Sequence, residues 1–403
     1  MKLLCLSNGH GEDAIGCRIL KALQQQPHPP ELAALPLVGA GQAYETLGIP
    51  IVASVKVMPS GGFVYMDGRQ LARDLKGGLL PLTWSQFKAV RSWRQGGGVI
   101  LAVGDILPLL FAWASGAPYA FVGTAKSEYY RRDEAGILPR RDWLGRLGSR
   151  LGSAYWPWER WLMSRPACKA VFPRDHLTAE TLKQLHIRAF DLGNPMMDDL
   201  EPTGISFKPA HIAQPLTIVL LPGSRAPEAY NNWERIVEAM SGVMLTFANR
   251  PLLFLGAIAP GLSLERLASP LLAEGWKEQN GQFIQQHATL VLTQTAFNDC
   301  LHEADVAIGM AGTATEQFVG LGKPAVTLIG RGPQFTPLFA KGQARHLGPS
   351  VTLIEKPTGV GKAIGSLLAD PDRLHLIAEN GRRRMGQPGA ARKIAAQITE
   401  LNW

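Results

Sequence analysis

Cysteine is scarce in this 403-residue chain. The four residues (Cys5, Cys17, Cys168 and Cys300) are scattered and form no CxxC pair. That pattern speaks against a disulfide framework or a zinc site and fits a reducing compartment. No signal peptide is expected, because the apolar run at 3–6 is too short and Ser7-Asn8-Gly9-His10 follows at once. No long unbroken apolar run exists either. The nearest approach, 99–123, has Asp105 as its only charge, but Gly104, Pro108 and Gly116-Ala117-Pro118 cut it into strand, helix and strand. Each piece is too short to cross a bilayer, so the segment reads as a buried βαβ unit. The first Gly-rich loop, SNGHGED at 7–13, has neither GxGxxG nor a P-loop lysine, which excludes a standard dinucleotide or ATP cradle. Helix-turn-helix, zinc-finger and RNP patterns are missing, as are internal repeats, low-complexity tracts and heptads, so no nucleic-acid partner is expected.

What is present is globular: 46% hydrophobic and 18% charged residues, with length enough for two domains. The net charge of +8 favours anionic partners, either phosphorylated substrates or acidic lipid headgroups.

The stretch 304–326, ADVAIGMAGTATEQFVGLGKPAV, organises the rest. A strand at 305–308 ends in small residues, a helix runs to Leu321, Gly322-Lys323-Pro324 stops it, and a new strand begins at Ala325. Small residues let backbone approach a ligand closely, and the following helix turns its free N–H groups toward that spot. Gly309, Gly312 and Thr313 therefore fall at an anion-friendly helix N-terminus. A second junction of this kind stands earlier. The apolar strand 217–221 ends in Pro222-Gly223-Ser224-Arg225, and 228–247 reads as a helix. Backbone N–H groups, a hydroxyl and a guanidinium then converge, a combination that suits a diphosphate. Either junction alone is also an ordinary βα turn; the pair carries the signal.

LLPGSR at 220–225, GMAGTATEQ at 309–317, GLGKP at 320–324 and RMGQPGAARKIA at 384–395 resemble the nucleotide-sugar half of GT-B glycosyltransferases. The nearest resemblance is to lipid A disaccharide synthase and its relatives. The GlcNAc transferase of peptidoglycan synthesis is similar more distantly. The resemblance spans residues 190–400 and thins before them. It implies an α/β chain of GT-B type, with two Rossmann-like parallel-sheet domains facing a cleft and a C-terminal helix packing back on the N-domain. The expected divisions are an acceptor-binding domain at 1–198, a linker at 199–215, a nucleotide-sugar-binding domain at 216–370, and C-terminal helices at 371–403 that return to the first domain. Strand and helix alternate from 216 to 368, as a parallel sheet requires.

The resemblance further implies transfer of a sugar from a UDP-sugar, of the UDP-GlcNAc type, to a lipid or lipid-linked acceptor. The reaction would be inverting and metal-independent, with no resident cofactor. For the donor it implies Gly223, Ser224 and Arg225 with the backbone of Gly312 and Thr313 at the diphosphate, and Gly309, Ala314 and Thr315 in the same turn. Relatives hold the ribose with a carboxylate on the helix after GTAT. Counted back from Pro324 that position is Gln317, with Glu316 beside it, and either can serve. Gln334 lies where relatives meet the donor sugar. No carboxylate pair stands where a metal-bound diphosphate would sit; Asp198 and Asp199 are at the linker, where capping a helix is the simpler role.

For the catalytic base Asp105 comes first. It follows the strand 99–103 amid apolar residues, where burial would raise its pKa, and lipid A disaccharide synthase resembles this chain in having an N-domain Asp after a comparable strand. A second reading stands beside it: Asp105 caps the helix that begins at Ile106. His10 and Glu12, with Asp13, form another candidate set on the first loop.

Between 131 and 161 lie four Trp and seven Arg, which make poor core and poor generic surface. An interfacial or lipid-acceptor wall fits them better, built from Lys126, Arg141, Trp143, Trp156, Trp158 and Trp161. Residues 56–95 mix the same types but read as a helix pair on the sheet with snorkelling cations. The expectation is a cytoplasmic protein held peripherally at the inner face of a membrane. Two rival readings are a nucleotide-sugar epimerase or hydrolase of the same architecture and a non-catalytic scaffold for nucleotide sugars or lipids.

Overall fold

The computed structural model describes residues 1–55, 79–138, 152–208, 214–330 and 335–403, with the backbone alone at residues 10, 79 and 80. The chain divides into two compact units, Met1–Asp198 with Gln387–Trp403, and Asp199–Gly386.

The first unit is built on five parallel strands. In chain order its elements are β1 (Lys2–Ser7), α1 (His10–Gln24), β2 (Glu31–Pro36), α2 (Gln42–Thr46), α3 (Leu79–Gln95), β3 (Val99–Gly104), α4 (Ile106–Ser115), β4 (Tyr119–Gly123), α5 (Pro157–Met163), β5 (Cys168–Pro173) and α6 (His176–Gln184). The sheet order is β2-β1-β3-β4-β5. Its strands are near-continuous apolar runs because both faces are covered. Leu3, Cys5, Leu101 and Val103 face one layer with Ile15, Ile19, Ile394 and Ile398. Leu4, Leu6, Ile100 and Ala102 face the other, with Val90, Leu109, Phe111 and Leu162. The stretch 99–123 is thus a buried strand-helix-strand unit, and among the described residues no helix is long and apolar enough to cross a membrane.

The last helix, α14 (Ala390–Glu400), packs on α1. Its N-terminus is capped from far away in sequence. The Asp198 carboxylate accepts the N–H groups of Gly389 (2.5 Å), Ala390 (3.1 Å) and Ala391 (2.7 Å). Asp198 therefore does cap a helix, as a local reading of the linker suggests, but the helix is the terminal one.

The second unit contains β6 (Leu216–Leu221), α7 (Glu228–Thr246), β7 (Leu252–Ala257), α8 (Leu264–Ala273), β8 (Lys277–Gln279), β9 (Gln282–Gln285), β10 (Ala288–Thr293), α9 (Phe297–Glu303), β11 (Val306–Gly309), α10 (Thr313–Gly320), β12 (Ala325–Leu328), α11 (Pro337–Leu347), β13 (Val351–Ile354), α12 (Val360–Leu368) and α13 (Pro371–Met385). The sheet order is β8-β9-β10-β7-β6-β11-β12-β13. Six strands are parallel; β8 and β9 extend the edge as an antiparallel hairpin, which departs from the expected strict alternation. Asn280 and Gly281, both with positive φ (51° and 76°), make its turn.

Two expected boundaries move. Residues 199–208 belong to the second unit, where Asp299 accepts the N–H groups of Thr203 (2.8 Å), Gly204 (2.9 Å) and Ile205 (3.1 Å). Helix α13 also stays there. A Cβ on its Gly381 would lie 2.1 Å from the Val319 carbonyl oxygen, so the glycine lets α13 lie close against α10. The return to the first unit begins at Gln387 rather than at 371.

Candidate functional site

In the second unit the chain leaves β6 for β7 and β10 on one side, then crosses to β11 on the other. Strands β6 and β11 are neighbours, with Leu221 opposite Gly309, so their carboxyl ends form the topological switch point where open α/β sheets bind ligands. Both loops identified from the sequence meet here. Helices α7 and α10 start from these loops, and neither has a side-chain N-cap. In the same unit α8, α11 and α13 are capped by Ser263, Thr336 and Asp370, while α9 and α12 have no side-chain cap. In α7 the Ala229 and Tyr230 N–H groups donate to the carbonyls of Arg225 (2.8 Å) and Pro227 (3.2 Å), and in α10 the Glu316 N–H donates to that of Gly312 (3.2 Å), so the positive end of α10 is the more open of the two. Ser224 and Thr313 are exposed, while Gly223, Arg225, Gly312 and Ala314 are half-buried. The φ of Gly223 is 105°, a turn that side chains resist.

The remaining donor candidates fall differently. Gly309 and Thr315 are buried against each other, and a Cβ on the glycine would meet the Thr315 Oγ1 at 2.4 Å. Their pairing shapes the turn from within rather than facing a ligand. Glu316 and Gln317 are both buried, and the Glu316 carboxylate lies 4.0 Å from Nε2 of the fully buried His346. Gln334 lies outside the described residues. Lys323 of the GLGKP motif is structural. Its Nζ donates to the carbonyls of Leu301 (2.9 Å), His302 (2.5 Å) and Ala304 (2.7 Å), closing the end of α9, and burial pushes its pKa down to about 8.

The first unit has its own switch point between β1 and β3. Asp105 stands there in both of its expected roles. Its Oδ1 accepts the Leu107 N–H at 3.0 Å, capping α4, and its Oδ2 accepts from Asn8 Nδ2 at 3.3 Å. Burial raises its pKa above the ordinary carboxylate range, opposed by the Leu107 N–H; the Glu159 charge adds to the rise and Lys126 opposes it. Glu12 is half-buried beside Gly104, its Cγ 3.2 Å from where a Cβ there would sit. His10 opens α1, and its side chain lies outside the described residues. Asp13 turns inward: it accepts from Ser7 Oγ at 2.5 Å, Ser7 accepts from Tyr44 at 2.8 Å, and burial pushes Asp13 up to about 6.

Helices α3, α4 and α5 lie side by side over the sheet. Trp156, Trp158 and Trp161 are exposed, Trp158 by 57%. Trp156 stacks on Trp158 (5.2 Å, 6°), and Trp161 meets Trp113 of α4 edge to face (5.3 Å, 65°). Leu110 and Trp113 on α4 are exposed too, as is Trp84 on α3, by 60%. Lys88, Arg91 and Arg94 are exposed on α3, and Arg160 and Arg165 are half-buried near α5. Within 79–95, 106–115 and 157–165 the only acid is Glu159, which is buried. Glu159 pairs with Lys126 and accepts the Trp156 N–H at 2.7 Å, so Lys126 anchors α5 rather than reaching outward. Arg141 and Trp143 lie outside the described residues. Helix α3 thus contributes to an apolar and basic face, where the sequence suggested cations snorkelling over a core helix. Among the described residues no three His, Cys, Asp or Glu side chains gather as a metal site would require.

Two Rossmann-like units, each with its loops at a switch point, and a last helix that returns to the first unit are the GT-B fold. Solved structures share it over the whole chain. A UDP-GlcNAc 2-epimerase from Neisseria meningitidis bound to UDP-GlcNAc is 12% identical, with 99% of this chain and 100% of that one covered and a TM-score of 0.54. MurG from Acinetobacter baumannii is 17% identical, with 99% of each covered and a TM-score of 0.55. The calicheamicin glycosyltransferase CalG4 is 14% identical, with 99% and 98% covered and a TM-score of 0.61. No family model and no curated protein matches the chain. At these identities the likeness is one of fold.

Two buried carboxamides at the β6–β11 switch point, Asn232 and Gln343, carried no signal in the sequence beyond being amides within helices.

Proposed function

We propose that the protein is a glycosyltransferase of the lipid A disaccharide synthase type, moving a sugar from a UDP-sugar to a lipid or lipid-linked acceptor at an anionic membrane surface. The observation that carries this reading is the pair of uncapped helix N-termini, α7 and α10, beside Ser224, Arg225 and Thr313 at one switch point. As the bond from C1 of the sugar to the diphosphate breaks, negative charge grows on the leaving oxygens. Preset N–H groups, the helix dipoles and a permanently charged guanidinium stabilise that charge without reorganising. Glu316 or Gln317 holds the ribose. The acceptor hydroxyl attacks C1 from the opposite side, inverting it, and Asp105 takes the proton, with Glu12 and His10 as the other bases available. Neither a metal nor a resident cofactor has a part in this scheme.

The tryptophan-rich face of α3, α4 and α5 supports the lipid acceptor and a peripheral place at the cytoplasmic side of a membrane. The rival reading is an epimerase, since UDP-GlcNAc 2-epimerases have this fold too. An enzyme whose whole substrate is a soluble UDP-sugar has no use for such a face. The test is incubation of radiolabelled UDP-sugars with and without anionic lipid extract. Label in the lipid fraction supports transfer, an altered free nucleotide sugar supports the rival, and binding without turnover leaves a scaffold.

A further inference from the structure

A loop that binds an anion through its N–H groups must turn its C=O groups the other way, and buried carbonyls then need donors of their own. At the β6–β11 switch point those donors are two side chains. Asn232 of α7 and Gln343 of α11 are each 2% exposed. Asn232 Nδ2 donates to the carbonyls of Pro222 (3.0 Å) and Met310 (3.2 Å), so one amide spans both loops. Gln343 Nε2 donates to the next two carbonyls, Ala311 (3.1 Å) and Gly312 (3.1 Å). Each nitrogen has two N–H groups and uses both. Three consecutive carbonyls, 310 to 312, are drawn inward in this way, beside that of Pro222.

The opposite ends of the two amides sharpen the point. Asn232 Oδ1 and Gln343 Oε1 are buried with no hydrogen-bond partner. An unpartnered buried oxygen is unfavourable, and a flipped amide would set its oxygen against two carbonyls. Both amides are therefore present for what their nitrogens hold. We propose that Asn232 and Gln343 are positioning residues that fix the β6 and β11 loops with their N–H groups facing the donor's diphosphate. The inference rests on the reading of this switch point as a diphosphate site.

The test compares UDP with uridine, which lacks the phosphates, by calorimetric titration of the full chain. In the wild-type protein UDP binds far more tightly than uridine. Asn232→Asp and Gln343→Glu keep shape but set a carboxylate against carbonyls. Both variants lose roughly 10- to 100-fold in UDP affinity, the scale of lost charge-assisted hydrogen bonds, while uridine affinity stays unchanged. Asn232→Ser and Gln343→Met give the same collapse of the UDP-to-uridine ratio and serve if the acidic variants fail to fold. A merely structural role lowers the unfolding midpoint and leaves that ratio intact; a folded variant with an intact ratio overturns the proposal. Wild-type protein that binds UDP no better than uridine overturns the diphosphate site itself, and the clamp with it.

Discussion

Replacing Trp156, Trp158 and Trp161 together by Ser tests the membrane reading where it is most exposed. A tryptophan can bury up to about 250 Å². With roughly half of each ring open, the three offer about 350 Å², an upper limit near 9 kcal/mol at about 25 cal/mol per Å². Indole rings stop at the headgroup level rather than entering hydrocarbon. About a third of that limit, roughly 3 kcal/mol, is then recovered, which corresponds to a loss of about 100-fold in vesicle partitioning for the triple variant. Exposed Lys88, Arg91 and Arg94 add about 1 kcal/mol each near an anionic surface, and salt screens this share. The assay is co-sedimentation with vesicles of mixed anionic and zwitterionic lipid, and of zwitterionic lipid alone, at low and physiological salt. The wild-type protein sediments with the anionic vesicles and less so as salt rises. The triple variant stays in solution and still binds UDP. Wild-type protein that ignores anionic vesicles at low salt, or a triple variant that binds as well as wild type, refutes the argument.

Arg225→Ala weakens UDP binding by about 1.5–3 kcal/mol, the range for a hydrogen bond to a charged group, and unchanged affinity in a titration removes Arg225 from the site. Asp105→Asn lowers turnover by about 10²–10⁴ with UDP affinity kept; because burial raises the Asp105 pKa, the acid limb of the wild-type pH–rate profile lies above the ordinary carboxylate range. Near-normal turnover in that variant moves the base to Glu12 or His10. Asp13 gives a stability signature of its own. Its folded pKa of about 6 stands above the ordinary carboxylate value of 3.8, so the folded state holds the extra proton between them. Stability then falls by about 1.4 kcal/mol per pH unit as pH rises through that window and is level above it. Asp13→Asn removes this fall in denaturant titrations across the window, and an unaltered slope assigns it to another group.

The parts of the fold that were legible are those whose signal is local. The apolar runs at β3, β4, β6 and β11 and the breakers between them show parallel strands and short helices directly, because strands covered on both faces leave no alternation to misread. The hairpin β8–β9 was not legible: its first strand, KEQ, is fully exposed and polar, and only Asn280-Gly281 marks it. Asp198 was legible as a cap but not as the cap of α14, since nothing local links it to Gly389. Helix α13 belongs to the second unit, against the sequence expectation, because its contact with α10 depends on a bare Cα at Gly381 meeting Val319, a fit that no periodicity reveals. Gly309 and Thr315 illustrate the limit of motif reading. Small residues in a βα turn suit either a ligand or a neighbouring side chain, and here they meet each other.

The two switch points differ in the chemistry they offer, and that difference bears on the rival readings. On the described residues of the β6 and β11 loops the polar side chains are the exposed hydroxyls of Ser224 and Thr313 and the half-buried Arg225 guanidinium. Glu316 and His346, beside these loops, are buried and lie 4.0 Å apart. Epimerisation must take a proton from the sugar and return it, so it needs acid and base groups at the donor. Transfer needs only charge stabilisation there, with the base supplied beside the acceptor. The first unit's switch point has those carboxylates, Asp105 and Glu12, one with its pKa raised by burial. Asp105, its pKa raised by burial, and Glu12 are therefore the carboxylates on which the proposed transfer and its rival are to be tested.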